Sequence, residues 1–170
     1  MNMLNSSLRY FSVFFSMLSV ISLIQHSFDV GLAEIFYDLI EYYRKATYLC
    51  FNFIGGLISI KMPPVLMDLW AISFIGAGAY VKTPKIEQNR LLRNRDVKKF
   101  PKYWKAILFL FMGVTFIGLA IILSAFRPQT YIDDMSDEPM DLLRGTLKNV
   151  FIVLAGALVF FAINAYAPSL

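Results

Sequence analysis

Charged residues divide this chain into apolar windows, and the window lengths carry the first structural information. Between Arg9 and Asp29 stand 19 uncharged residues. At a rise of 1.5 Å per residue they form a helix about 28 Å long, which matches the hydrocarbon core of a bilayer. A span is therefore expected over about residues 10–28. Between Lys105 and Arg127 lie 21 residues in which Thr115 and Ser124 are the only polar side chains, with Tyr103 and Trp104 at the near end as an interfacial aromatic pair. This predicts a span over about 106–126. The last 22 residues, from Asn149 onward, carry only Asn149 and Asn164 as amides and predict a span over about 149–168.

A fourth window, Met62 to Val81, contains Pro63, Pro64 and Asp68. Proline in the first turn of a helix gives up an N–H that has no partner there, so Pro64 reads as a start and the span as about 64–81. Asp68 then falls near the membrane interface, where water reaches it and the positive end of the helix dipole favours a carboxylate.

The stretch between the first two spans has a different pattern. Leu32, Ile35, Phe36, Leu39, Ile40 and Tyr43 recur at helical spacing, while Glu34, Asp38, Glu41, Arg44 and Lys45 occupy much of the other side. An amphipathic helix over about 32–45 lying in the interface plane is expected. Residues 46–60 are uncharged but, at 15 residues or about 22 Å, too short for a comfortable crossing. With Gly55-Gly56 inside, they read as a dipping or re-entrant segment. The expected fold is all-α and integral to a membrane: a four-transmembrane-helix bundle in one polytopic domain, 1–170, with the amphipathic helix and the dipping segment between spans one and two.

Composition agrees with that reading. Of 170 residues 58% are hydrophobic, only 16% are charged, and the mean hydropathy is +0.59. Soluble domains carry about a quarter charged residues, and a disordered chain is still more polar. The apolar window after Arg9 ends in Gln25-His26-Ser27-Phe28, which offers no small-residue cleavage site, so an uncleaved signal anchor is expected. The single Cys50 cannot close an intrachain disulfide.

Nine of the sixteen Lys and Arg residues fall in the basic loop 82–105, which the positive-inside rule assigns to the cytoplasm. The acidic loop 127–148 then lies outside, and both termini are cytoplasmic in a membrane of the bacterial inner-membrane type. A crossing by residues 46–60 would move the N-terminus outside and improve the charge split by one cation, which is weaker evidence than the shortness of that segment.

Candidate chemistry is sparse. There is no Ser, His and Asp set for catalysis, no cofactor loop and no metal-binding pair, and the chain holds one histidine. The carboxylates from Asp133 to Asp141 miss the spacing of a calcium loop. Arg90, Arg93, Arg95, Lys98, Lys99 and Lys102 suit anionic lipid head groups or a partner protein, and lack any nucleic-acid-binding module pattern. Gly76, Gly78, Gly113, Gly118 and Gly156 suit close helix packing, within the chain or between copies. His26, Asp68 and Asn164 are the polar positions at or in the membrane. The functional expectation is a non-enzymatic membrane protein acting by assembly, as a homo-oligomer or as the membrane subunit of a complex. An oligomeric pore, in the manner of a membrane-permeabilising effector, is the alternative.

Overall fold

The computed structural model of the chain describes residues 2–57, 59, 61–83, 104–126 and 137–167. Among these, seven helices and no strand are found: α1 (Asn2–Phe28), α2 (Glu34–Leu57), α3 (Pro64–Ile72), α4 (Phe74–Lys82), α5 (Trp104–Val114), α6 (Ile117–Ala125) and α7 (Asp137–Tyr166). Ser6–Phe28, Pro64–Lys82 and Met140–Tyr166, of 23, 19 and 27 residues, are long and apolar enough to cross a membrane. A fourth span exists only if α5 and α6 are counted together across a bend of 75°. The protein is thus all-helical with three to four candidate spans.

The stretch α3–α4 begins where its prolines place it, with Pro64 in the first turn and Pro63 extended at φ −66° and ψ 150°. The two helices meet at Ser73, which keeps helical angles, φ −53° and ψ −28°. They form the middle of the bundle and pack on α1, α5, α6 and α7. The reason lies in side-chain size: Ala71, Ser73, Gly76, Ala77, Gly78 and Ala79 are all buried and let neighbouring backbones approach from several sides.

Contact order fixes the directions of the helices. Along α1, Ser12 faces Gly78, Ser16 donates to the Ala71 carbonyl at 3.3 Å and Ser19 donates to the Asp68 carbonyl, so α1 runs antiparallel to α3–α4. Helix α7 instead runs parallel to α1. Arg9 Nε donates to Asn149 Oδ1 at 2.8 Å, Met17 packs on Gly156, and the connection after α1 is held by Asn164. Arg9 and Tyr166 therefore lie at opposite ends of the bundle. The end of α4 and the Asn149 end of α7 share the Arg9 end.

The 106–126 segment, expected as one span, is two helices. Ascending α5 brings Gly113 against the Phe74 ring and the Val114 carbonyl to the Trp70 indole N–H, at 2.9 Å. After Thr115 and Phe116 the chain turns through 75°, and Gly118 on α6 lies against Ser73, Gly76 and Ala77. Its partners on the central stretch first fall in number from 74 to 70 and then rise again. Phe116 makes the turn in the left-handed region, φ 61° and ψ 5°. A non-glycine residue there costs about 1–3 kcal/mol. Stacking offsets part of this: the Phe116 ring lies 4.6 Å from that of Trp70, whose indole is also stacked with Phe51 at 4.8 Å.

Residues expected as an amphipathic helix and a separate dipping segment form the single helix α2, continuous through Gly55 and Gly56. It lies across the bundle. Phe36 packs on Phe160 of α7, Tyr43 on Phe15 of α1 and Phe51 on Trp70 of α3, with ring centres 4.9, 5.5 and 4.8 Å apart. Helical periodicity gives α2 three faces. Ile40, Tyr43, Thr47 and Phe51 are buried on the bundle; Glu34, Asp38, Glu41 and Lys45 form a polar face; and Ile35, Leu39, Tyr42, Ala46, Leu49 and Phe53 form an exposed seam spaced alternately four and three residues apart.

Candidate functional site

Four serines of α1, Ser12, Ser16, Ser19 and Ser22, are wholly buried. Their spacing of four, three and three residues puts them in one column on the face toward the central helix. Every hydroxyl in the column has a partner: Ser12 donates to Arg9 O at 2.7 Å, Ser16 to Ala71 O, Ser19 to Asp68 O, and Ser22 to Asp68 Oδ2 at 2.7 Å.

Asp68 stands where the column meets α2. Its Oδ2 also accepts from the Tyr48 hydroxyl at 3.1 Å. Arg44 reaches down from α2, donating through Nε to Ser22 Oγ at 2.8 Å and through Nη2 to the Ser22 carbonyl at 3.1 Å. The Ser22 hydroxyl thus accepts from a cation and donates to an anion, and joins the two without a contact ion pair. Burial pushes the phenols of Tyr43 and Tyr48 above their ordinary range, and the Asp68 charge adds to it, so both stay protonated. Asp68 Oδ1 and the Tyr43 hydroxyl are buried without hydrogen bonds.

Asp68 was expected at a wetted interface, and here the structure corrects the sequence: it is fully buried. The reason is tertiary, because α2 lies over this level of the bundle and covers the carboxylate with Tyr48 and Arg44. His26, in the last turn of α1, is exposed. Asn164 clasps the α1–α2 connection, donating to Gly31 O at 3.0 Å and accepting from the Ala33 N–H at 2.8 Å. Gly76 and Gly118 approach each other's backbones, while Gly78 meets Ser12, Gly113 meets Phe74 and Gly156 meets Met17. All five glycines make these contacts within the chain. Arg90, Arg93, Arg95, Lys98, Lys99 and Lys102 lie outside the described residues.

Residues the sequence reading passed over are Ser19, Ser22, Arg44 and Tyr48. The serine column was visible as spacing, yet in an uncharged window serine is neutral to hydropathy. Arg44 was grouped with the water-facing charges of the amphipathic helix, whereas it is half-buried and turned inward.

Chemically the cluster ties α1, α2 and α3 together through charge-assisted hydrogen bonds in a low-dielectric interior. Among the described residues no group of three metal-ligating side chains exists. No protein-family model, curated protein or solved structure matches the chain.

Proposed function

We propose that this chain is a non-enzymatic multi-pass membrane protein that acts by assembly, as a homo-oligomer or as the membrane subunit of a complex. The observation that carries the reading is the exposed seam of α2. Arg44, Tyr48 and Phe51 fix this helix to the bundle on one side, so Ile35, Tyr42, Leu49 and Phe53, each at least 70% exposed, are presented on a rigid support. Alternate four- and three-residue spacing of apolar side chains is the pattern by which one helix packs on another. In this reading α1, α3–α4 and α7 cross a bacterial inner membrane and α5–α6 enters and leaves on one side. The N-terminus and the basic loop are cytoplasmic, and the C-terminus lies opposite. A photo-crosslinking amino acid at position 42, activated in native membranes, tests it. A product of twice the chain's mass, or a discrete heavier one, is expected; adducts with lipid alone would overturn it.

The sharply bent pair α5–α6 favours a second reading, an oligomeric pore, because a broken helix at membrane depth requires either protein or water beside it. Trp70 and Ser73 already supply protein partners at this break: Ser73 Oγ accepts from the Leu119 N–H at 3.1 Å and donates to Met112 O at 3.5 Å. That leaves the pore as the weaker of the two, and ion leakage from liposomes containing the purified chain would reverse the order.

A further inference from the structure

At the Arg9 end of the bundle, three helices bring cations together. Arg9, near the start of α1, lies beside Gly78, one turn before Lys82 at the end of α4, and its guanidinium bonds Asn149, the neighbour of Lys148 on α7, so that Lys82 feels the charge of both others. They are far apart in sequence, and none forms an ion pair with an acidic side chain among the described residues. Like charges held this close cost free energy unless an anion stands among them.

Hydrogen-bond donors are in excess at the same place. The half-buried Arg9 guanidinium donates through Nε to Asn149 Oδ1, which orients it, and its remaining N–H groups have no acceptor among the described residues. Asn149 and Thr146, one turn apart on α7, are wholly buried, and Asn149 Nδ2 and Thr146 Oγ1 have no partner. Buried polar groups are ordinarily paired, so two orphans beside three cations with no acidic partner among the described residues mark a site short of an acceptor. Arg9 and Lys82 also lie at the ends of two candidate spans, where a membrane-crossing segment would meet lipid head groups, with Lys148 beside them about two turns into the third.

We infer that Arg9, Lys82 and Lys148, backed by Asn149 and Thr146, bind the phosphate of an anionic phospholipid at the end of the bundle where α1 begins. The guanidinium is the oriented element, suited to two phosphate oxygens at once, and the lysines act as point charges around it. The site is separate from the α2 seam and stands whether or not the chain assembles.

Native mass spectrometry of the full chain from detergent, with dioctanoyl phosphatidylglycerol, dioctanoyl phosphatidylcholine or inorganic phosphate added, tests the inference. One phosphatidylglycerol retained per chain is expected under conditions that strip phosphatidylcholine. Lys148→Gln, which removes no bond of the fold, should weaken apparent affinity roughly fivefold, as should Lys82→Gln, from the usual worth of a cation beside an anionic lipid. Arg9→Gln should weaken it further. Lys61→Gln, before α3 at the opposite end, should change nothing. Equal retention of the two lipids, or undiminished phosphatidylglycerol binding in Lys148→Gln and Lys82→Gln, would overturn the site. Displacement of phosphatidylglycerol by equimolar inorganic phosphate would show an anion site that does not select lipid, and would overturn the lipid assignment.

Discussion

Arg44 and Asp68 face each other across the hydroxyl of Ser22, which accepts a hydrogen bond from the guanidinium N–H and donates its own O–H to the carboxylate. Opposite charges in contact would gain more Coulomb energy but would each lose more solvation. With the serine between them, both ends keep a hydrogen bond and α2 is fastened to α1 and α3 at one point.

Ser22→Ala removes the relay and leaves Arg44 and Asp68 each short of a partner inside the bundle. An unsatisfied buried group costs about 1–3 kcal/mol, so detergent-solubilised protein should unfold several degrees lower, followed by Trp fluorescence. Ser22→Thr, which keeps the hydroxyl, should recover part of the loss. An unchanged midpoint in Ser22→Ala would show that the relay does not hold α2.

The glycines should differ in a definite order. A methyl on Gly118 or Gly76 meets backbone atoms of the neighbouring helix, which cannot turn aside. Gly118→Ala and Gly76→Ala should therefore destabilise the single chain by about 1–3 kcal/mol or more. Gly156→Ala meets only the flexible end of Met17 and should cost less, while Gly145→Ala, with nothing nearer than Ala79 Cβ at 4.0 Å, should be neutral or slightly stabilising. Thermal midpoints of the four variants check the ranking. Equal loss at Gly145 and Gly118 would sink it.

The break between α5 and α6 predicts a local effect. Ser73→Ala deprives the Leu119 N–H of its acceptor and Met112 O of a donor. Hydrogen exchange at Leu119 should accelerate at least tenfold while the amides of α7 keep their protection. Uniform acceleration throughout the bundle would mean that Ser73 supports the whole fold and not the break.

Topology can be read by labelling. Because α7 runs parallel to α1, Asn94→Cys and Asp141→Cys, each in a Cys50→Ser background, should react with an impermeant thiol reagent from the same side of the membrane. Reaction from opposite sides would require α5–α6 to cross completely.

Three of the span positions were legible in the sequence because an uncharged window of bilayer length has few other uses, and Pro64 marked its helix start correctly. The unity of α2 was not legible. Gly55-Gly56 resembles a break, yet Gly56 has open space around it and the helix continues through both glycines to Leu57. The reverse error occurred at Thr115-Phe116, where no proline or glycine stands at the turn itself. That turn depends on an indole N–H from Trp70 and a hydroxyl from Ser73, about forty residues earlier. Burial of Asp68 was hidden for the same reason, since only the path of α2 decides whether water reaches it.

The serine column also bears on how the chain is assembled in the bilayer. Each hydroxyl of α1 can bond a carbonyl one turn back on its own helix, as Ser12 does with Arg9, so α1 can enter lipid alone with its polar atoms satisfied. When the central helix arrives, Ser16 and Ser19 turn their protons to Ala71 and Asp68 instead. For these two hydroxyls the number of donated hydrogen bonds is the same before and after. Insertion and docking are thereby uncoupled: α1 is competent as an isolated segment, and its later choice of neighbour is governed by how closely two small-residue surfaces fit.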